Sequence, residues 1–233
     1  MEKVNQIGTK ADFLKFASDR IGMSGMEVEQ RMKQSNPMGF VYPGIVEERP
    51  SEIRSVEMNV FSKLIQNRII FLSDEVSHDS MDTIIAQLLY LDSINKDTIY
   101  LYINSGGGDC YSGLSLCSTF NIIGSPVSTT ILGYAASMGA VIASSGSKGM
   151  RYSLPYSRFM IHQPLSAFGY QKYNDSRIAL QEMESVRNDL YELLASNSGK
   201  SFDDIVNLCE NGDKWMKPQE AIDLGFLDGV IKK

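Results

Sequence analysis

The sequence has few of the residues that build disulfide frameworks and metal sites. Its 233 residues include three cysteines and two histidines. Cys110, Cys117 and Cys209 are odd in number and form no C-x-x-C pair, which is typical of reduced, buried thiols. Neither histidine, His78 or His162, lies beside a cysteine pair at the spacing of a zinc site. We therefore expect no disulfide, no metal and no cofactor.

Blocks of basic residues and long apolar runs are also lacking. The net charge of -6 comes without a Lys/Arg cluster, so the charge pattern of a nucleic-acid-binding protein is missing. No apolar run reaches the roughly 18 residues that span a bilayer, and the N-terminal residues lack the apolar segment of a secretory signal. We expect a cytoplasmic protein that binds neither nucleic acid nor membrane. With 43% hydrophobic and 21% charged residues, it should fold around one core.

The first fifty residues differ from the rest of the chain. Short helical patterns over 11–20 and 26–34 are followed by prolines and glycines that interrupt regular structure. We interpret this part as an appended segment.

From about residue 55, strand-like and helix-like segments alternate. The sequence predicts strands over 68–72, 98–103, 127–132 and 157–161, and helices over 79–91, 111–123, from near 137, and over 172–196. Such alternation is typical of an α/β fold in which crossover helices join parallel strands. The last helix would be roughly 37 Å long, so we expect part of it to project toward another subunit.

A serine lies among small residues between a predicted strand and a predicted helix, in the sequence GYAASMG at 133–139. Small neighbours permit a sharp strand-to-helix turn that exposes the hydroxyl of Ser137 as a nucleophile. The same composition is common in tightly packed helices. The segment alone leaves both interpretations open.

A serine nucleophile needs a base, and His162 is the better placed of the two histidines. It ends a predicted strand and precedes Gln163 and Pro164, so it lies where the sites of α/β sheets gather. A hydrogen-bonded structural histidine is the alternative. His78 lies beside Asp79 at a predicted helix start and is typical of a solvated surface residue.

The orienting acid is harder to identify. No Asp or Glu lies between Ser137 and His162, which excludes the Ser-acid-His order of α/β-hydrolases. Of the later acids, Asp213 differs because a turn at 211–212 precedes it and an apolar pair, Trp215 and Met216, follows it. We expect this setting to hold its carboxylate near the core.

A glycine-rich loop, NSGGGD at 104–109, follows the second predicted strand. Its exposed N–H groups suit an anion or a substrate held as an added strand. A dinucleotide motif would need glycine at Tyr111, and a phosphate-binding loop would need glycine at Leu194. An oxyanion hole for acyl transfer and a plain flexible turn are the remaining interpretations.

These segments, in this order, resemble the Clp protease family. The matching stretches are 68–72, 100–105 with its glycines, 133–139, 157–164 and 213–225, and the likeness runs from about Ser55 to Ile231. The resemblance implies a crotonase-like α/β spiral of parallel strands with crossover helices and a projecting handle helix over about 172–196. It also implies a homo-oligomer of two stacked seven-membered rings, a tetradecamer with enclosed active sites.

The resemblance further implies an ATP-dependent serine endopeptidase that hydrolyses unfolded polypeptides supplied by an AAA+ Clp unfoldase. Carried over residue by residue, Ser137 is the nucleophile, His162 the general base and acid, and Asp213 the acid that orients the imidazole. Gly108 and Met138 would donate backbone N–H groups to the oxyanion.

Other parts of the chain also correspond to family features. Tyr100 and Tyr102 match a surface pocket that receives the unfoldase. Residues 1–42 would be an N-terminal extension or propeptide, 43–54 the axial gate, and 55–233 the peptidase domain.

The sequence departs from the family pattern at several positions. Gly106 replaces a usual proline and Asp109 a small or apolar residue, so we expect a more mobile and more negatively charged loop. Ser166 and Ala167 replace a glycine pair, and Gly212 replaces an arginine that links the rings to the triad, which predicts altered coupling between assembly and activity.

Three other interpretations stay open on the sequence. The chain could be a non-catalytic ring subunit of the same fold. It could be a crotonase-type acyl-CoA hydratase or isomerase, although such sites usually use carboxylates. It could also be a Ser-Lys peptidase with Lys148 as the base.

Overall fold

The computed structural model describes residues 44–46, 57–166, 169–170 and 172–232. The chain divides into two units, Met1–Val60 and Phe61–Lys233. In the first unit, β1 (Gly44–Val46) pairs antiparallel with β2 (Glu57–Asn59). The helices predicted over 11–20 and 26–34, and all of the predicted gate except 44–46, lie outside the described residues.

From residue 60 onward, helices and strands alternate along the chain. They are α1 (Val60–Gln66), β3 (Ile69–Leu72), α2 (His78–Ile94), β4 (Ile99–Ser105), α3 (Cys110–Ile122), β5 (Val127–Ala136), α4 (Met138–Ser144), β6 (Arg151–Ser153), β7 (Arg158–Ile161), α5 (Tyr173–Ser198), α6 (Phe202–Glu210), β8 (Lys214–Met216), α7 (Pro218–Asp223) and β9 (Gly229–Val230). Each strand and helix that we predict from residue 55 onward is present, with ends displaced by a few residues. The short strands β6, β8 and β9 were not predicted.

The central sheet has seven strands within the described part of the second unit. β3, β4, β5, β6 and β9 lie side by side in that order, and β7 pairs with β5 and β8. All pairs are parallel except β7 with β8. The predicted α/β fold with parallel strands is therefore confirmed, and the antiparallel strand β8 is an addition to it.

Strand β5 changes its partner along its length. Thr129–Ile131 pair with β6, and Tyr134–Ala136 pair with β7. On the other edge β4 pairs with both halves, with an irregularity between Ile103 and Ser105. The carboxyl end of β5 is therefore enclosed by the ends of β4 and β7, which is where functional side chains gather in parallel sheets.

The packing of β4 and α2 follows directly from their sequences. Ile99, Leu101 and Ile103 alternate along β4 and are completely buried. Burial of each such side chain stabilises the fold by roughly 1.5–3 kcal/mol. Helix α2 begins after Ser77, whose side chain accepts a hydrogen bond from the backbone N–H of Ser80. Ser77 therefore caps the helix.

Helix α5 has 26 residues, which makes it about 39 Å long at the usual rise per residue. Its buried residues, Val186, Leu190, Tyr191 and Leu194, all lie in the second half. Tyr173 is 82% exposed at its first residue. The first half therefore extends past the core of its unit, as its length predicts. No helix within the described ranges is long and apolar enough to cross a membrane.

Candidate active site

Ser137 occupies a strained turn between β5 and α4. Its φ is 55° and its ψ is -126°, a conformation that residues with a Cβ rarely adopt. The backbone around it holds this conformation: the Ser137 N–H donates to the Met160 carbonyl at 2.9 Å, and the Ala140 N–H donates to the Ser137 carbonyl at 3.0 Å. Strain of this kind costs about 1–3 kcal/mol and persists only where the surroundings enforce it. The predicted strand-to-helix turn is present.

The glycine-rich loop packs directly against this turn. A Cβ on Gly107 would lie 2.7 Å from the Ala136 carbonyl oxygen and 2.8 Å from the Met138 nitrogen. A Cβ on Gly139 would lie 2.9 Å from the Ser105 carbonyl oxygen. The two segments can approach this closely only because glycine stands at both positions.

His162 lies against Ser137. It follows Ile161, the last residue of β7, and the pairing of β7 with β5 sets Met160 opposite Ala136. The His162 Nε2 is 2.8 Å from the Ser137 Oγ. The imidazole is 13% exposed, so protein surrounds it on most sides. His78 is exposed at the first residue of α2, as predicted.

Asp213 is held more loosely. Its Oδ1 lies 3.5 Å from the Nδ1 of His162, and its side chain is 58% exposed. A charge-assisted hydrogen bond would be about 2.7–2.9 Å long. The expectation that this carboxylate lies near the core is wrong. Asp213 directly precedes β8, in which Trp215 is 49% exposed while Met216 is buried.

Gly108 lines the same cleft as Ser137, and Met138 directly follows Ser137 in the chain. Met138 is the first residue of α4, so its N–H has no acceptor within the helix. The neighbours of Gly108 are bonded to Val76: the Val76 N–H donates to the Gly107 carbonyl at 2.9 Å, and the Asp109 N–H donates to the Val76 carbonyl at 2.7 Å. These two bonds hold the loop on both sides of Gly108, which itself lines the cleft beside Ser137.

Asp109 anchors the end of the glycine-rich loop. Its carboxylate accepts hydrogen bonds from the Ser112 N–H at 2.7 Å and from the Ser112 hydroxyl at 2.6 Å, which caps α3. These bonds outweigh the effect of burial and lower the pKa of Asp109. The ionised Asp109 gives the loop the expected negative charge. Its cap on α3 also holds the end of the loop in place, which opposes the greater mobility that we expect from the sequence.

A cleft of about 550 Å³ opens beside Ser137 and His162. Three glycines of the loop line it, together with Glu75, Cys110, Tyr134, Met160, Pro164 and Leu165. None of this second group was predicted to be a site residue. Glu75 offered one signal: it lies three residues after β3, at the carboxyl end of a parallel strand.

Cys110 is a second potential nucleophile in this cleft. Burial and the negative charge of Asp109 raise the pKa of its thiol. Because the thiolate is the reactive form, a protonated Cys110 competes poorly with Ser137.

Lys148 lies beyond the carboxyl end of α4 and is exposed. Within the described ranges, the side chain hydrogen-bonded to Ser137 is that of His162. The structure thus pairs Ser137 with His162, and not with Lys148 as the Ser-Lys alternative requires. The same ranges contain no group of three or more His, Cys, Asp or Glu side chains that could hold a metal ion.

Tyr100 and Tyr102 share one face of β4, opposite the buried Ile99 and Leu101. Tyr100 is 44% exposed. Tyr102 stacks on Phe71, with ring centroids 5.5 Å apart. The two tyrosines therefore belong to an aromatic surface on the outer face of the sheet.

An α/β fold with a serine in a strained strand-to-helix turn, hydrogen-bonded to a histidine, defines a serine hydrolase. The Clp protease family matches residues 52–233 of the chain. A Bacteroides fragilis ATP-dependent Clp protease proteolytic subunit is 40% identical over 224 residues, which cover 95% of this chain and 99% of the relative. Its counterpart from Streptococcus agalactiae serotype V is 41% identical over 192 residues, covering 82% of this chain and 96% of the relative. The chain belongs to the Clp protease family and is a serine peptidase, which confirms the resemblance.

Proposed function

We propose that this chain is the proteolytic subunit of an ATP-dependent Clp protease, in which Ser137, His162 and Asp213 hydrolyse peptide bonds of unfolded polypeptides. The observation that carries this proposal is the 2.8 Å contact between the Ser137 Oγ and the His162 Nε2. The names of the relatives support the same activity.

The reaction begins when the Ser137 Oγ attacks the scissile carbonyl carbon and its proton passes to the His162 Nε2. The carbonyl oxygen becomes an oxyanion that accepts hydrogen bonds from the N–H groups of Gly108 and Met138. His162 then returns the proton to the leaving amine, and an acyl ester remains on Ser137. A water molecule, deprotonated by His162, releases the acyl group by the same steps in reverse.

Asp213 orients the imidazole and stabilises its cation during both halves of the reaction. The 3.5 Å distance and the exposure of Asp213 make its contact with His162 the weaker of the two contacts in the site. We propose that the contact shortens when substrate or a neighbouring subunit covers the turn, because excluding water strengthens a charge-assisted hydrogen bond.

The proposed assembly is two stacked seven-membered rings of identical chains in the cytoplasm. The exposed first half of α5 supports it as the handle through which the rings meet, since Tyr173, Ile178 and Leu180 face solvent there. We assign Tyr100 and Tyr102 to docking of an AAA+ unfoldase, because exposed aromatic side chains are typical of protein interfaces. Residues 1–42 would be an extension or propeptide, 43–54 the gate, and 55–233 the peptidase domain.

Labelling with a serine-directed fluorophosphonate tests the chemistry directly. We expect mass spectrometry to find the adduct on Ser137 in the wild-type chain and to find none in Ser137→Ala or His162→Ala. An unlabelled wild-type chain that still forms rings would support the non-catalytic alternative. Labelling retained in His162→Ala and lost in Lys148→Ala would instead support a Ser-Lys site.

A substrate comparison tests the gated chamber. The chain alone should cleave short peptides, while a stable folded protein should survive until an ATP-driven Clp unfoldase is added. Rapid digestion of the folded protein by the chain alone would contradict this part of the proposal. Native mass spectrometry of the same sample should report fourteen identical subunits, the number that two seven-membered rings require.

A further inference from the structure

Glu75 extends into the cleft that contains the nucleophile. It lies in the connection between β3 and α2, and its side chain is exposed. Its Cγ is 3.0 Å from the position that a Cβ on Gly108 would occupy. The carboxylate therefore lies beside the backbone to which we assign the oxyanion, within reach of residues close to the scissile bond.

The backbone that carries Glu75 is firmly held. The Ser105 hydroxyl donates to the Asp74 carbonyl at 2.6 Å. Val76, which follows Glu75, is 1% exposed and exchanges two backbone hydrogen bonds with the glycine-rich loop. The position of Glu75 relative to the cleft is therefore fixed, although its side chain is free to adapt to a substrate.

The charge of this carboxylate is not balanced inside the cleft. Among the described residues, no hydrogen bond or ion pair holds the Glu75 carboxylate, and no Lys or Arg lines the cleft. The neighbouring Asp109 adds a second negative charge, but its carboxylate is bonded to Ser112. Glu75 is thus the acid left available to a bound polypeptide.

We infer that Glu75 is a specificity-determining residue that favours substrates with a lysine or arginine within about three residues of the scissile bond. The inference rests on the proposed function and adds a preference to it. The long stems of these side chains can pack on the exposed apolar groups of the cleft, Tyr134 and Leu165, while their charged ends reach the carboxylate. A glutamate at the same substrate position meets repulsion instead.

A set of quenched fluorescent peptides measures this preference. Each peptide carries Lys, Gln or Glu at one of the three positions on either side of a fixed cleavage site. With the full-length wild-type chain, we expect kcat/KM at the best position to be about 3- to 10-fold higher for Lys than for Glu, as suits one exposed ion pair. The ratio should shrink in about 1 M salt, where the Debye length is only about 3 Å.

Three variants make the assignment to Glu75 specific. Glu75→Gln should bring the Lys-to-Glu ratio to within about 2-fold, and Glu75→Lys should invert it. Asp82→Asn removes one negative charge from the exposed face of α2, outside the cleft, and should leave the ratio unchanged. A ratio near one in the wild type, or a preference that survives in Glu75→Gln, would overturn the inference.

Binding measurements separate this inference from the proposed chemistry. Fluorescence anisotropy with the Ser137→Ala chain should show tighter binding of the Lys peptide than of the Glu peptide. Cleavage of all peptides at equal rates would overturn the inferred charge preference, while the proposed peptidase activity would stand. A wild-type chain that cleaves no peptide, at the background rate of Ser137→Ala, would overturn the proposed function and this inference with it.

Discussion

The turn that carries Ser137 and the turn that carries Asp213 serve one proposed site, yet they are built in opposite ways. Ser137 lies between Ala136 and Met138, which are 3% and 2% exposed, and its backbone is bonded to β7 and α4. Asp213 is 58% exposed. The Gly212 before it has φ 99°, and nothing lies within 4 Å of the place its Cβ would take.

A single chain can therefore organise only one part of the site by itself. The Ser-His contact depends on three neighbouring strand ends, so the folded core fixes it. The His-Asp contact depends on an exposed turn next to a three-residue strand, so little in the described part of the chain fixes it. The Ser137–His162 pair is therefore preorganised, while the contact of the proposed orienting acid, Asp213, stays long and exposed.

The largest effect should come from the preorganised half. Ser137→Ala should lower kcat/KM for a short peptide by roughly 10⁴- to 10⁶-fold, because the nucleophile is lost and the rest of the triad cannot act without it. The thermal midpoint should change little, since alanine meets the same strain at φ 55°. Ser118→Ala, on the exposed side of α3, is the matched control and should retain activity. If Ser137→Ala were as active as Ser118→Ala, Ser137 would not be the nucleophile.

A pair of glycine substitutions sharpens the contrast between packed and open backbone. Gly108→Ala should reduce kcat by about 10²- to 10³-fold, because the new Cβ would collide with the Val76 carbonyl and displace an oxyanion donor. Gly212→Ala also places a Cβ at positive φ, but into open space, and should cost only about 1 kcal/mol of stability. Peptide hydrolysis and urea unfolding of both variants measure the two effects. Equal loss of activity at both sites would show that the open turn is as constrained as the packed loop.

Asp213→Asn should have a smaller effect than the loss of a buried orienting aspartate, which lowers kcat by about 10⁴-fold. We expect a loss of about 10²-fold in kcat for short peptides under conditions that keep the chains unassembled, because there the carboxylate stays exposed at 3.5 Å and contributes less. Asp203→Asn, exposed in the first turn of α6, is the control. A loss as large as that of Ser137→Ala would mean that the acid is already fully engaged, which contradicts the comparison.

The smallest effect concerns the cap that fixes the glycine-rich loop. Asp109→Ala should lower the free energy of unfolding by about 1 kcal/mol at pH 7, the usual cost of losing an N-cap. The pKa of Asp109 is lowered below 3.8, so the folded chain favours the ionised form. This contribution is present above about pH 3.8 and disappears as the pH falls through the folded-state pKa.

Urea unfolding at pH 7 and at low pH measures the effect of the cap. The difference between wild type and Asp109→Ala should shrink on acidification. Asp109→Asn provides the control, because asparagine caps helices without a titratable group. A difference between wild type and Asp109→Ala that stays constant with pH would rule out the ionised cap.

Much of the fold was predictable because its elements have strong local signals. The alternating Ile99, Leu101 and Ile103 of β4 and the Ser77 cap of α2 each specify their element within a few residues. The three-residue strands β6 and β8 carry no such pattern, since their pairing depends on β5 and β7, which are distant in the sequence. Short strands set by tertiary contacts are beyond local periodicity.

In the candidate site, too, residues with local sequence signals were predictable and residues placed by tertiary contacts were not. Ser137 and His162 were predictable because small residues surround the serine and a predicted strand ends at the histidine. The structure brings their side chains together. The apolar pair after Asp213 led to the wrong expectation that its carboxylate lies near the core, because one member of the pair, Trp215, faces solvent. Glu75 was passed over since it belongs to no motif. Its place in the cleft follows from the bonds that hold Val76 against the glycine-rich loop.

The φ of 55° at residue 137 bears on how this chain would evolve. Glycine adopts such a backbone without a steric penalty, so Ser137→Gly should raise heat resistance while removing the hydroxyl. Selection for heat resistance alone would therefore favour glycine at this position, and selection for hydrolysis would favour serine. A library screened under both pressures in turn would reveal how strongly each acts on a single codon.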